Sequence, residues 1–193
     1  NIPTHIATKL SNLAASQVVS KIGNSYVTEK DLRKMFYKDE LYTKKINFSN
    51  KKNIVSSKKI LTNLNKSIVM TNGCFDIIHS GHVHLFEQAK KLGDFLIVAI
   101  NDDKSVKRLK GKTRPINKIK ARKKVLDAIS YVDAVVVFSE DTPENIIRII
   151  SPDILVKGSD YKVKDIIGAK YVKSIGGKIK TIKLLEGYSS TSI

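Results

Sequence analysis

The residues best suited to chemistry are His79 and His82, which flank Ser80-Gly81 shortly after the run Thr71-Asn72-Gly73-Cys74-Phe75-Asp76. A strand, a glycine turn and a helix N-terminus in that order leave backbone N–H groups free for an anion such as a polyphosphate. Histidines three apart share one side of a first helical turn. From there they can donate hydrogen bonds to phosphate oxygens, and Gly81 leaves room for a phosphate to approach. Two other readings are a structural histidine pair and a metal pair. A metal site would need a third ligand, which the sequence does not place, and this spacing alone is weak evidence for one. A second place of the same kind is Gly187 followed by Ser189-Ser190-Thr191, a helix start with hydroxyls aimed at a phosphate. The sequence stops at Ile193, before that helix could form, so the expectation is an incomplete site there.

The elements that must position these residues alternate. Ile68 to Thr71 is a short apolar run suited to a buried parallel strand, Phe95 to Ile100 reads as a second buried strand, and Ala134 to Phe138, Ile154 to Val156 and Lys178 to Ile182 read as three more strands. Between them the spacing predicts helices over 81–92, stopped by Gly93, over 118–130, from Thr142-Pro143 to Ile150, and over 164–174. The expected fold is α/β, a doubly wound parallel sheet of about five strands with right-handed crossovers. Ligands in such sheets sit at the carboxyl ends of the strands, where the histidine turn falls. Asp102, near the end of the second strand, and Asp160, after the fourth, could meet a nucleotide or a sugar, or simply form turns.

Upstream, residues 6–18 read as a helix, and Thr28 with Asp31 has capping-box spacing with Asp in place of Glu. Residues 38–66 carry Lys, Asn and Ser without a sustained period and read as a linker or poorly ordered arm. Domain boundaries are expected at 1–37, 38–66 and 67–193.

The net charge of +17 raises nucleic-acid binding as a class. Against it, the excess is 30 Lys to 5 Arg, accompanied by 12 Asn and no Trp, which is a chain-wide drift in composition. The basic residues are not interleaved with aromatics for stacking bases, so small phosphorylated substrates are the better expectation. Cys74 is the single cysteine, which excludes an internal disulfide and a cysteine-based zinc site and agrees with a reducing compartment. No apolar run approaches the roughly 20 residues of a membrane helix. A cytoplasmic fragment of a longer chain, without a membrane partner, is expected.

Several runs in one order resemble the adenylyltransferase domain of the bifunctional heptose 7-phosphate kinase/heptose 1-phosphate adenylyltransferases, within the HxGH nucleotidyltransferase (Rossmann-like) superfamily. They are Thr71 to Asp76, His79 to His82, Arg114-Pro115-Ile116-Asn117, Glu140-Asp141-Thr142-Pro143, Val156-Lys157-Gly158-Ser159-Asp160-Tyr161 and Glu186-Gly187-Tyr188-Ser189-Ser190-Thr191. Leu13 to Ser16 and Val18 to Gly23 resemble the last segment of that family's ribokinase-like kinase domain, whose catalytic loop and aspartate base would lie upstream, so no kinase activity is expected of this chain. Ser16, Ser20, Ser159 and Ser190 depart from the family's usual residues.

The resemblance implies AMP transfer from ATP to D-glycero-β-D-manno-heptose 1-phosphate, giving ADP-heptose and pyrophosphate for lipopolysaccharide core synthesis. Mg²⁺ would ride on the phosphates, and the full-length protein would be a homo-oligomer. It points to His79, His82 and Lys110 as catalytic. Asn72, Gly73, Cys74, Phe75, Asp102, Arg122, Lys157, Gly158, Asp160, Ser189, Ser190 and Thr191 are the implied nucleotide-binding residues. Any one lysine here could equally belong to a solvated face. The rivals are a cytidylyltransferase acting on glycerol 3-phosphate or a similar polyol phosphate, and a non-catalytic nucleotide- or RNA-binding module.

Overall fold

The computed structural model describes residues 3–19, 26–32, 35, 46–159 and 162–183. Five strands, β1 (Ile68–Gly73), β2 (Phe95–Asn101), β3 (Ala134–Phe138), β4 (Ile154–Gly158) and β5 (Lys178–Ile182), pair in parallel in the order β3-β2-β1-β4-β5. Central strands buried on both faces must be apolar throughout, and the two faces divide them with period 2. Ile68, Met70, Ile97 and Ala99 face one core, while Val69, Leu96, Val98 and Ile100 face the other.

The helices whose bounds lie within the described residues are, in chain order, α1 (Thr4–Val19), α2 (Lys51–Asn63), α3 (Ser80–Lys90), α4 (Asp103–Lys110), α5 (Ile119–Asp127), α6 (Glu144–Ile150) and α7 (Ala169–Ser174). Leu85, Phe86 and Ala89 of α3 and Leu126 of α5 close one core. Residues of α2, α6 and α7 close the other, with Ile54, Leu61, Ile147, Ile150 and Val172 all buried. The fold is therefore the expected doubly wound sheet. Its direction of winding reverses between β1 and β4, which opens a crevice at their carboxyl ends.

At the opposite edge, carboxylates satisfy the strand starts. Asp153 accepts from Ile68 N at 2.7 Å, Asp133 from Leu96 N at 2.6 Å, and Asp94 from Ser67 N at 2.9 Å. Gly93 does not end α3, which closes at Lys90; a Cβ there would lie 2.6 Å from a Val69 methyl, so close approach to β1 is what requires glycine.

Three expectations need correction. Residues 46–66 are not a solvated linker: α2 is capped by Asn50, whose side chain accepts from Asn53 N, and it packs Ile54, Ile60 and Leu61 inward, with Phe48 ahead of it. The segment 164–174 is not one helix but a short 3-10 turn, Val163–Asp165, and α7. The break falls at Gly168, whose φ of 84° is a left-handed conformation suited to glycine. Helix α4 stands where none was expected.

At the N-terminus, α1 covers the predicted helix and has no buried side chain among its described residues. Asp31 and Thr28 make the predicted box: the Asp31 carboxylate accepts from Thr28 N and Oγ1, and Thr28 Oγ1 accepts from Asp31 N. None of the described helices is long and apolar enough to cross a membrane.

Candidate functional site

Strand β1 ends at Asn72-Gly73 in the crevice, and the chain then makes a tight turn through Cys74, Phe75 and Asp76 before α3 opens at Ser80. Phe75 takes φ 45°, a left-handed conformation that a bulky residue holds only where its surroundings fix it. They do so from two directions. The Asp76 carboxylate accepts from Ile116 N and Asn117 N, each at 2.9 Å, and from Arg114 Nη1 at 3.1 Å, while Asn117 Nδ2 donates to Asp76 O at 2.8 Å. Burial works against the charge on Asp76, but those three donors hold its carboxyl below the ordinary value. The Phe75 ring meets Phe86 at 5.2 Å and, roughly perpendicular to it, His82 at 5.1 Å between centroids. A Cβ on Gly73 would stand 3.1 Å from the Phe75 ring, a tight approach to which the ring would have to yield.

His79 is the N-cap of α3 and His82 lies in its first turn. Their imidazoles stack at 3.8 Å between centroids, 30° apart. Burial pushes His79 below its ordinary value, and burial, then the neighbouring His79, then the Lys110 ammonium take His82 down to about 4. At neutral pH His82 is thus an uncharged donor in an electropositive setting. Its Nδ1, Thr71 Oγ1 and Asn72 Oδ1 are buried without a hydrogen-bond partner among the described residues. Buried polar atoms in that state carry a cost that a polar ligand can relieve.

Lys157, near the end of β4, reaches across the crevice and donates to Asn72 O at 2.8 Å, with Gly158 beside it. Lys110 is exposed at the end of α4, and its charge is felt by both His82 and Cys74. Burial pushes the Cys74 thiol up, against the nearby Lys110 and Arg122 cations, so Cys74 stays protonated and contributes backbone rather than a nucleophile.

The structure therefore brings together Asn72, Gly73, Cys74, Phe75, His79, His82, Lys157 and Gly158, with Lys110 at the rim. Two of the residues implied as nucleotide contacts are engaged within the protein. Arg122 is 1% exposed, and its guanidinium is committed to Asn117 O, Cys74 O, Asn101 O and the Asp103 carboxylate. Asp102 caps α4 by accepting from Ser105 N at 2.7 Å. Asp160, Ser189, Ser190 and Thr191 lie outside the described residues. In the sequence Asp76, Arg114 and Asn117 stand only as parts of motif runs; the network they form joins segments about forty residues apart, and those runs are its only sequence signal.

The sequence pattern of the cytidylyltransferase-like family matches residues 70–193. The bifunctional protein HldE of Pseudomonas entomophila (strain L48) is 44% identical over 97% of this chain, and that of Coxiella burnetii (strain RSA 493 / Nine Mile phase I) is 46% identical over the same share. The chain spans 39% of the length of each. Among solved structures, the lipopolysaccharide core biosynthesis protein of Thermoplasma volcanium GSS1 is 30% identical with a TM-score of 0.52, covering 64% of this chain and 99% of its own. A pantoate-beta-alanine ligase of Francisella tularensis shares the fold at 19% identity and a TM-score of 0.54, covering 74% of this chain and 73% of its own.

Proposed function

The chain belongs to the cytidylyltransferase-like family, and we propose that it transfers AMP from ATP to D-glycero-β-D-manno-heptose 1-phosphate, releasing pyrophosphate and forming ADP-heptose for lipopolysaccharide core synthesis. The observation that carries the chemistry is the stacked pair His79 and His82 at the crevice between β1 and β4, within reach of the Lys110 charge. The choice of heptose and adenine is supported by the identity with the bifunctional HldE proteins and by the motif runs from Thr71 to Thr191. Because those relatives extend well beyond the matched part, residues 1–37 are read as the end of a preceding kinase-like domain, through which the full-length protein would also assemble.

The residues suit this reaction. The acceptor phosphate is already ionised at neutral pH, since its second pKa is about 6. One of its oxygens attacks the α-phosphorus in line, the bond to the bridging oxygen breaks, and pyrophosphate leaves with that electron pair. No proton has to be removed, so no general base is needed. The protein stabilises the charge that builds on the α-phosphoryl and leaving oxygens. His79 and His82 donate to them, the N–H groups of the turn after β1 line the approach, and Lys110 supplies the positive field. Mg²⁺ would arrive with the nucleotide, bound to its phosphates.

The test is pyrophosphate release with the heptose 1-phosphate and either ATP or CTP, beside a His79→Ala control. Release with ATP alone, lost in the control, is expected. Release with CTP would replace this reading with a cytidylyltransferase. Inactivity with both, together with salt-dependent RNA binding, would point to a binding module.

A further inference from the structure

We propose that Arg122 is a positioning residue for this reaction: its buried guanidinium fixes the Cys74–Phe75 peptide so that the Phe75 N–H is directed at the nucleotide's phosphates. The proposal rests on the nucleotidyltransferase reading above. Arg122 Nη1 donates to Cys74 O and to Asn101 O, each at 2.8 Å, Nε donates to Asn117 O at 2.9 Å, and Nη2 pairs with Asp103 Oδ1 at 2.8 Å. One side chain thus ties together the turn after β1, the end of β2, the first residue of α4 and the loop before α5.

The contact that matters most is with Cys74 O. Among the described residues the only cis peptide is Arg114–Pro115, so the Cys74–Phe75 peptide is trans, and its C=O and N–H point in opposite directions. With the carbonyl held inward by a buried guanidinium, the N–H of Phe75 must face the other way. The left-handed φ of Phe75 makes that orientation costly to keep unless something over-determines it. The same hold reaches His82, whose ring packs roughly perpendicular to that of Phe75.

A lysine could neutralise Asp103 but could not reproduce this planar fork, which meets carbonyls on three separate segments at once. Were the arginine there only for stability, its replacement would lower the thermal midpoint and leave turnover per folded molecule unchanged.

The experiment compares wild type with Arg122→Lys by steady-state kinetics, thermal unfolding and the 15N–1H signal of the Phe75 amide with and without ATP·Mg²⁺. The expected result is a kcat lowered about tenfold or more at a KM for ATP changed less than about threefold, as misplaced catalytic groups produce. The ATP-induced shift of the Phe75 amide, present in wild type, should be lost. A folded variant with wild-type kcat and an intact Phe75 shift overturns the proposal, as does a wild-type Phe75 amide indifferent to ATP. If wild type binds ATP but releases no pyrophosphate with either nucleotide, the functional reading fails, and the amide shift alone decides the positioning role. Should Arg122→Lys not fold, Asp103→Asn takes its place: it keeps the guanidinium and weakens its anchor. A severalfold lower kcat at unchanged KM supports the proposal, and wild-type kcat overturns it.

Discussion

Two imidazoles in stacking contact cannot both carry a proton cheaply, and at this site burial and the Lys110 charge press in the same direction. The consequence for stability follows from linkage. In the unfolded chain His82 takes a proton as pH falls through its ordinary value of 6.5, while in the folded protein it resists down to about 4. Between those values the unfolded state binds more protons, so stability is full above pH 6.5 and declines as pH falls towards 4. The thermal midpoint should drop across that window, and His82→Asn should flatten this part of the slope; an identical slope in the variant would show that another group carries it. A bound polyphosphate acts in the opposite sense, because its negative charge favours the protonated imidazole. ATP binding is therefore expected to take up protons on the acid side of neutrality, measurable by calorimetry in buffers of different ionisation enthalpy. For turnover, losing one preorganised donor to developing phosphate charge costs about 10²- to 10³-fold in kcat, which is the drop expected for His79→Ala at saturating ATP.

Helix α2 shows what an element contributes when its sequence hides it. Leu61 is fully buried and Ile54 nearly so, and both touch the core shared with α6. Leu61→Ala should destabilise the protein by about 2–5 kcal/mol in denaturant unfolding, the range for a leucine deleted from a packed core. A chain beginning at Ser67 should fail to give a cooperative transition; a normal transition would mean that α2 is dispensable. The central strands β1 and β2 were legible because a parallel strand buried on both faces is largely apolar. The α2 stripe was not, because the residue between Ile54 and Leu61 on the inward face is Ser57. That serine is buried only because its Oγ both accepts from Asn47 N and donates to Asn47 O, a pairing that leaves no trace in a periodicity. The same blindness hid α4, whose inward residues are Ser105 and Val106. At the site, the histidine turn was legible from residue types and order. The role of Arg122 was not, since its partners are mostly backbone carbonyls and its lysine-rich helix reads as a solvated face.

At the scale of the molecule, the charge of +17 can be either a drift in composition or a working field, and the two make different kinetic predictions. Lys104, Lys107, Lys112, Lys118, Lys120 and Lys124 are all exposed on α4, α5 and the loop between them. That loop is pinned to the site through Asp76 and Arg122. A positive surface beside a crevice that receives ATP raises the encounter rate, and salt screens it, because the Debye length shrinks from about 30 Å at 0.01 M to about 8 Å at 0.15 M. If the field works, kcat/KM for ATP should fall as salt rises over that range while kcat holds. Replacing Lys107, Lys112 and Lys120 together with Gln should then lower kcat/KM at low salt and flatten its dependence. If the charge is compositional, the triple variant should follow the wild-type salt curve throughout. Rates read at low salt would otherwise credit to His79 and His82 an advantage that belongs to the surface around them.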